Sequence, residues 1–186
     1  MVITTSPLVK TYTLQEFWDL PEPSDHSKLE LIKGVLYMTP PPDHPHNRAA
    51  ANVDEILRKE IRRCRYRGKV YIPRAAVWID NDTYLEPDLM YVSAALESSM
   101  DPRHWTHADI VVEVISPSNA NYDRKTKADT YRAMGGVCEM WLIDNEKKEV
   151  DVRSFESDKS ATFKLADTLH SAVLPKIRIP IRSLFT

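Results

Sequence analysis

The chain has 186 residues, of which 42% are hydrophobic and 28% charged, with a formal net charge of −2; this is the balance of a soluble globular protein long enough to bury a core without disulfides or a structural metal. That charge excludes a protein that coats nucleic acid by bulk electrostatics, which needs many cations opposite phosphates, and leaves room for a local basic patch. Cys64 and Cys138 stand in unrelated contexts and give neither a disulfide framework nor a CxxC metal motif; with no signal-peptide segment and no apolar run near the roughly 20 residues of a bilayer span, the expectation is one cytoplasmic domain over 1–186 with reduced thiols.

From the N-terminus, Thr13-Leu-Gln-Glu16 has capping-box spacing and opens a short helix through Phe17, Trp18 and Leu20, which Pro21 and Pro23 stop. Lys28 to Ile32, Lys33-Gly34 and Val35 to Met38 predict a β-hairpin, with Gly34 supplying the positive φ of the turn. Glu30 lies in its first strand, on a face that the imperfect alternation leaves open. Pro40, Pro41, Pro42 and Pro45 form a stiff entry to an amphipathic helix from about His46 to Arg67. Val53, Ile56, Leu57 and Ile61 recur at helical spacing there, and Arg58, Lys59, Arg62, Arg63 and Arg65 make the C-terminal half basic.

Strands are predicted over 69–72 and 75–79, followed by turn chemistry in Asp80-Asn-Asp82. One strand then runs from Tyr84 to Tyr91; Pro87 cannot donate a ladder hydrogen bond and so places Asp88 at an edge or distortion. Ser93 to Ala108 is polar and loop-like, with room for a short helix. Asp109 to Ser116 is a β-branched run of the kind covered on both faces. A helix from Tyr122 to Met134 ends at Gly135-Gly136, and a second apolar strand, Glu139 to Asp144, follows. Strand, helix and strand in this order imply a right-handed parallel crossover. Glu149 to Phe155 alternates strictly, as an antiparallel hairpin strand does, and 162–185 reads as short strands around Pro175 and Pro180. The architecture is a mixed α/β sheet flanked by helices.

Glu113 lies inside the most apolar strand, where an ionised carboxylate is costly unless something pairs with it. Asp88 sits where a neighbouring strand leaves regular pairing. Mg²⁺ takes one or two protein carboxylates, keeps several waters and completes its shell with substrate phosphate oxygens. Asp88 and Glu113, with a backbone carbonyl such as that of Val114, therefore predict a Mg²⁺ or Mn²⁺ site for phosphodiester hydrolysis. A nearby ammonium completes such a site. Ala128, Tyr131 and Met134 mark the sheet-facing stripe of the following helix, and Lys127 falls inside it, whereas Lys125 lies on the polar side with Asp129 and Arg132. The competing reading is an ordinary surface pair of Lys127 with Asp123.

Other features are open to two readings. The basic run Arg58 to Lys69 is a solvated helix face or a phosphate grip near the site, with Tyr66 and Tyr71 packing or stacking on bases. His44-Pro-His46 and His104-Trp-Thr-His107 bring no further zinc ligands. Trp141 and Tyr131 read as core, and Cys138 as a buried, inert thiol.

Pro87-Asp88 followed by Glu113-Val-Ile115 resembles the PD-(D/E)xK signature of restriction-endonuclease-like nucleases. The wider pattern is similar to one branch of them, the bacterial restriction endonucleases of the Uma type. It comprises Glu30-Leu-Ile-Lys-Gly34, Met38-Thr-Pro-Pro41, His46, Pro87-Asp88, Val112 to Ser118, Asp123 to Lys127, Tyr131 and Trp141 to Asp144. The resemblance implies a restriction-endonuclease-like core, a mixed sheet flanked by helices with an added N-terminal hairpin. It implies Asp88 and Glu113 as metal ligands and DNA as substrate. The signature's own lysine position is Ile115 here, and Lys127 on the following helix restores the charge as that branch has it. Glu30 and His46 fall at matching positions, as ligand-supporting and phosphate-contacting residues. Cutting both strands of a duplex takes two active sites, so a homodimer is expected. The alternative is a non-enzymatic module that kept the fold and binds nucleic acid or protein.

Overall fold

In the computed structural model, which describes residues 10–186 with the Met134 side chain excepted, two sheets meet around the Glu86-Pro87-Asp88 segment. The first is a four-stranded antiparallel sheet built from β1 (Lys28–Ile32), β2 (Val35–Thr39), β4 (Val77–Asp80) and β5 (Thr83–Leu85), in the order β2-β1-β5-β4. The second has six strands. They are β3 (Gly68–Tyr71), β6 (Leu89–Ser93), β7 (Ala108–Ile115), β8 (Val137–Asp144), β9 (Glu149–Ser154) and β10 (Lys159–Lys164), in the order β10-β9-β8-β7-β6-β3. β7 and β8 pair in parallel and every other pair is antiparallel, so the sheet is mixed. A short pair, β11 (Thr168–Leu169) and β12 (Ile179–Pro180), and a 3₁₀ turn over Ile181–Phe185 complete the C-terminal part.

Alternation along β7 decides what each face buries. Ile110, Val112 and Val114 pack under α2 (His44–Arg63) and the C-terminal tail, together with Trp141, Ile143 and Val150. Val111 and Ile115 point to the opposite face, against Ala128 and Tyr131 of the helix that connects β7 to β8. Side chains of one parity share a face, so Glu113 belongs to the helix-covered side. A third cluster joins Phe17 of α1 (Leu14–Trp18) to Leu31 and Tyr84 on the four-stranded sheet. The Thr13–Glu16 capping box forms as the sequence predicts.

Several expected boundaries shift. The strand expected over Tyr84 to Tyr91 is two strands in two different sheets, because Pro87 ends pairing altogether and the chain crosses from one sheet to the other there. The basic helix starts earlier than His46, at His44, with Asp43 as N-cap and Pro45 inside the first turn, where proline's missing N–H is no loss. It stops at Arg63, not Arg67; Arg65 takes a φ of 58° and turns the chain into β3. The helix expected over Tyr122 to Met134 is composite, a π-helical stretch Tyr122–Lys127 running directly into α4 (Ala128–Met134). The room for a helix after Ser93 is filled by α3 (Ala94–Ser99), capped by Ser93. β10 begins at Lys159, before the expected start of the C-terminal strands, and Pro175 lies in no strand.

Candidate active site

The hairpin settles the face of Glu30. Leu29 and Leu31 pack into the aromatic cluster under α1, while Lys28, Glu30 and Ile32 share the other face, and Ile32 joins the core around α4. Glu30 is thereby driven into the interior with no exposed surface. Glu113 arrives from β7 on the same side, 2% exposed. Two buried carboxylates demand a cation, and Lys127 supplies it. Its Nζ lies 2.9 Å from Glu113 Oε2 and 3.2 Å from Glu30 Oε1, with Asp123 Oδ1 at 3.7 Å.

Lys127 is itself only 2% exposed. The surface-pair reading is therefore wrong: Asp123 is the most distant of the three carboxylates, because the helix turns its Lys127 face against the sheet. Two phenols close the network. Tyr131 OH donates to Glu113 Oε1 at 3.3 Å and Tyr122 OH to Glu30 Oε2 at 3.1 Å. The Glu86 amide donates to Glu30 Oε1 at 2.9 Å. Burial disfavours the Lys127 ammonium, but Glu113, Glu30 and Asp123 outweigh it and hold its pKa well above the ordinary lysine value. Burial pushes the Glu113 carboxyl up to about 8 despite Lys127, with Asp88 and Asp123 adding to the rise. It likewise lifts Asp123 to about 6.

Asp88 enters from the break between β5 and β6. Its Oδ2 accepts from the Val114 amide at 2.8 Å and lies 3.1 Å from His46 Nε2. β6 pairing with β7 ends at Leu89 opposite Val112, so the Asp88 side chain takes over the next donor along that edge. The N–H and C=O of one strand residue point the same way, which aims the Val114 carbonyl along the same vacated edge. Among the described residues nothing bonds Asp88 Oδ1, and that atom is not sealed from solvent. Burial would raise the Asp88 carboxyl, yet the His46 hydrogen bond and the Lys28 charge overcome it and hold it at about 2. The same contact with Asp88 outweighs burial at His46 and raises the imidazole above its usual value.

Asp88, Glu113, Val114, Asp123, Lys127 and His46 all line one cleft of about 400 Å³, walled by Pro40, Pro41 and Pro42 on one side and Ser116 to Asn119 on the other. Among the described residues no three His, Cys, Asp or Glu side chains converge as a ready-made cage. The donor set is nonetheless all oxygen, rich in carboxylate and open at Asp88 Oδ1. This suits a hard cation that needs few protein ligands.

The five sequence-derived side chains thus meet, though two differ in detail. His46 contacts Asp88 where a phosphate contact was expected. Glu30 supports Lys127 and lies behind the cleft lining. The basic run is not near the site: His46 and the Arg62–Arg63 end sit on one helix, roughly 25 Å apart at 1.5 Å per residue. Arg58 is tied to Asp54 and the Val70 carbonyl, Arg63 to Glu60, and Lys69 to Glu97. Tyr66 and Tyr71 are spent on the Lys176 amide and Glu97. Lys28 escaped the sequence reading, although its i, i+2 spacing from Glu30 marks it; its Nζ donates to the Glu86 carbonyl at 2.7 Å at the rim of the cleft. Tyr131, read as core, is core by its ring and site by its hydroxyl.

The chain is similar to known proteins over most of its length. A Synechocystis protein described as uncharacterized protein sll1609 is 27% identical over 146 residues, 77% of this chain and 79% of its own length. A crystal structure of an Anabaena variabilis protein, described as a putative nuclease belonging to DUF820, superposes with a TM-score of 0.72 at 18% identity. It covers 94% of this chain and 97% of that one, and so shares the fold. The profile of the Uma2 family matches residues 14–182, which contain every residue of the cleft described above, and the chain therefore belongs to the Uma2 family, described as putative restriction endonucleases.

Proposed function

We propose that the protein is a divalent-metal-dependent DNA endonuclease, in which Asp88, Glu113 and the Val114 carbonyl hold Mg²⁺ or Mn²⁺ and Lys127 orients the attacking water or stabilises the transition state. The observation that carries this reading is Lys127 itself. A lysine 2% exposed, gripped by Glu113 and Glu30 and lining the same cleft as Asp88, can supply the charge that the signature's own lysine position, Ile115, lacks. Bound at Asp88 and Glu113, a divalent cation supplies Lewis acidity toward a phosphoryl oxygen. Lys127, itself buried, places a fixed positive charge beside the carboxylates, where it can stabilise developing negative charge. Glu30 and Tyr122 hold that ammonium in place from behind, and His46 orients Asp88 through Nε2. Duplex cleavage would be completed by a second copy of the chain.

The test is cleavage of supercoiled plasmid and of single-stranded DNA with Mg²⁺, Mn²⁺ or EDTA, beside Glu113→Gln and Lys127→Met proteins whose folding is checked by circular dichroism. Metal-dependent cutting that falls by about a hundredfold or more in each variant is expected. Cutting that survives Glu113→Gln would refute the assignment, and DNA binding without cutting under any metal would mark a binding module on a nuclease fold.

A further inference from the structure

A second groove, about 150 Å³, opens beside the cleft and adjoins it at Lys28, Arg74 and Glu86, which line both. Trp18 lines this groove at 43% exposure, next to Pro21 and Tyr84. Its ring stands edge-on to Tyr84 at 4.9 Å and to Phe17 at 5.1 Å and tilted to Trp78 at 5.1 Å, which fixes the indole while leaving it part exposed. A lone exposed aromatic is ordinary. An exposed indole held by three other aromatics, beside a buried carboxylate and next to a cleft that fits phosphate chemistry, is a combination that selects a ligand.

Glu86 supplies the polar half. It is 6% exposed, and its Oε1 accepts from Tyr84 OH at 2.6 Å. Among the described residues Oε2 has no partner, and it is not closed off from solvent. A carboxylate oxygen of this kind accepts N–H donors. At the junction of the two grooves, among the described residues, Arg74 pairs with the exposed Glu22 at 3.3 Å, and Lys28 with the Glu86 carbonyl and with Glu30 at 3.7 Å, so cationic side chains flank the passage from aromatic groove to cleft. A π-face, an acceptor for an N–H edge and flanking cations match the chemistry of a nucleotide: base, base edge and phosphate.

We propose that this groove takes one unpaired nucleobase of the strand that lies in the cleft, stacked on Trp18 and with an N–H of its edge on Glu86. The assignment rests on the nuclease reading above for the strand's position. A base inside a duplex keeps both faces stacked and its pairing edge occupied, so only a single-stranded or extruded nucleotide can enter. The substrate is accordingly single-stranded or locally opened DNA. Glu86 also links the two grooves through its backbone, since its amide is held by Glu30, which touches Lys127.

The test compares binding of a short fluorescein-labelled single-stranded oligodeoxynucleotide and its blunt duplex by anisotropy, and cutting of both with Mg²⁺ or Mn²⁺. Wild type, Trp18→Ala, Trp18→Phe, Glu86→Gln and Glu113→Gln are compared, each with its urea midpoint measured. Trp18→Ala should weaken single-strand binding about tenfold, the loss of one stacked base, and leave duplex binding unchanged, while Trp18→Phe keeps most of the affinity. Glu86→Gln should narrow the preference for oligo-dC over oligo-dT, because a carboxylate accepts from the cytosine amine and repels the thymine carbonyls. Equal single-strand binding by wild type and Trp18→Ala overturns the proposal. The two readings fail separately. Cutting that is lost in Glu113→Gln but indifferent to Trp18→Ala removes the base groove and keeps the nuclease. Trp18-dependent binding without cutting removes the nuclease and keeps the groove.

Discussion

Lys127 is one ammonium among the buried carboxylates of Glu30, Glu113 and Asp123, with Asp88 nearby. Lys28, with its Nζ 3.7 Å from Glu30 Oε1, and His46 on Asp88 add positive charge, yet burial still disfavours ionising all four carboxyls, and protons make up the difference. Glu113, lifted by burial to about 8, and Asp123, lifted by burial to about 6, are each raised above their unfolded values. A group raised on folding contributes stability that is complete below its unfolded pKa and lost as pH climbs through its folded one. His46, for which burial is outweighed by Asp88, is raised and has the same sign. Asp88, held at about 2 by His46 and Lys28 against burial, has the opposite sign, but its window closes well below pH 5. The metal-free protein should therefore lose stability from about pH 5, just above the unfolded values of both carboxyls, to about pH 8, the folded value of Glu113, by at most roughly 1.4 kcal/mol per pH unit for each titrating group. Urea midpoints in EDTA measure this, and a midpoint that holds or rises over that range contradicts the charge assignment. In Glu113→Gln the slope should be shallower. At this scale the sequence was informative about need and silent about partners. The apolar run around Glu113 announced a carboxylate that must be paired, and the helical stripe singled out Lys127. Glu30 and Lys28 could not be placed, because the KLELI stretch is apolar enough on both parities that only the packing of Leu29 and Leu31 against Tyr84 decides which face turns inward.

Two of the elements that carry these residues start at the site. β6 begins at Leu89, leaving the edge of β7 beyond Val112 unpaired, and α2 begins at His44 with its first turn over the same vacated edge. Asp43 ties the helix start to the site: its Oδ1 accepts from the His46 amide at 2.8 Å, and His46 Nε2 reaches Asp88. Replacing Asp43 with alanine removes an N-cap and should lower stability by about 1 kcal/mol. Because the freed turn carries His46, Asp43→Ala should also weaken divalent-metal binding, while Asp43→Ser restores both; calorimetric titration with Mn²⁺ and urea melts check the pair. A cap that affected stability alone would place His46 outside the metal site's support. Helix periodicity gave α2 its apolar stripe but misjudged both ends, since proline inside the first turn reads as a barrier and the arginine run after Arg63 reads as helix. The π-helical stretch had no sequence signature. It puts Tyr122, Asp123 and Lys127 together over Glu30 and Glu113, with Tyr122 stacked on Tyr37 of β2 at 4.9 Å, and only the packed sheet makes that register favourable. The split of the 84–91 run between two sheets was half legible: Pro87 marked the break, and no local feature said that the flanks would pair in different sheets.

Across the whole molecule, charge is distributed against a conventional DNA-coating surface. The net charge is −2, and the densest run of arginines ends roughly 25 Å from His46 along α2. Two of the arginines in that stretch are also occupied, Arg58 by Asp54 and Arg63 by Glu60. The cations at the cleft and its adjoining groove are Lys28, Arg74 and the buried Lys127. If the strand is held there, few phosphates are neutralised, and most of the binding free energy must come from contacts that salt does not screen: the metal, the stacked base and the walls of the cleft. For single strands the slope of log Kobs against log salt is about 0.7 per phosphate contact. Two or three contacts then give a slope of about −2, far shallower than that of proteins that grip duplex DNA by a basic face. Anisotropy titrations at several salt concentrations and fixed Mg²⁺ or Ca²⁺ measure it. Arg74→Ala should make the slope shallower by less than about one unit, the share of a single contact, and Arg62→Ala should leave it unchanged. A slope steeper than about −5 that relaxes in Arg62→Ala would bring the far end of α2 into contact with DNA. The strand would then have to wrap from the cleft along the whole helix, and the single-strand groove at Trp18 could not be the main source of affinity.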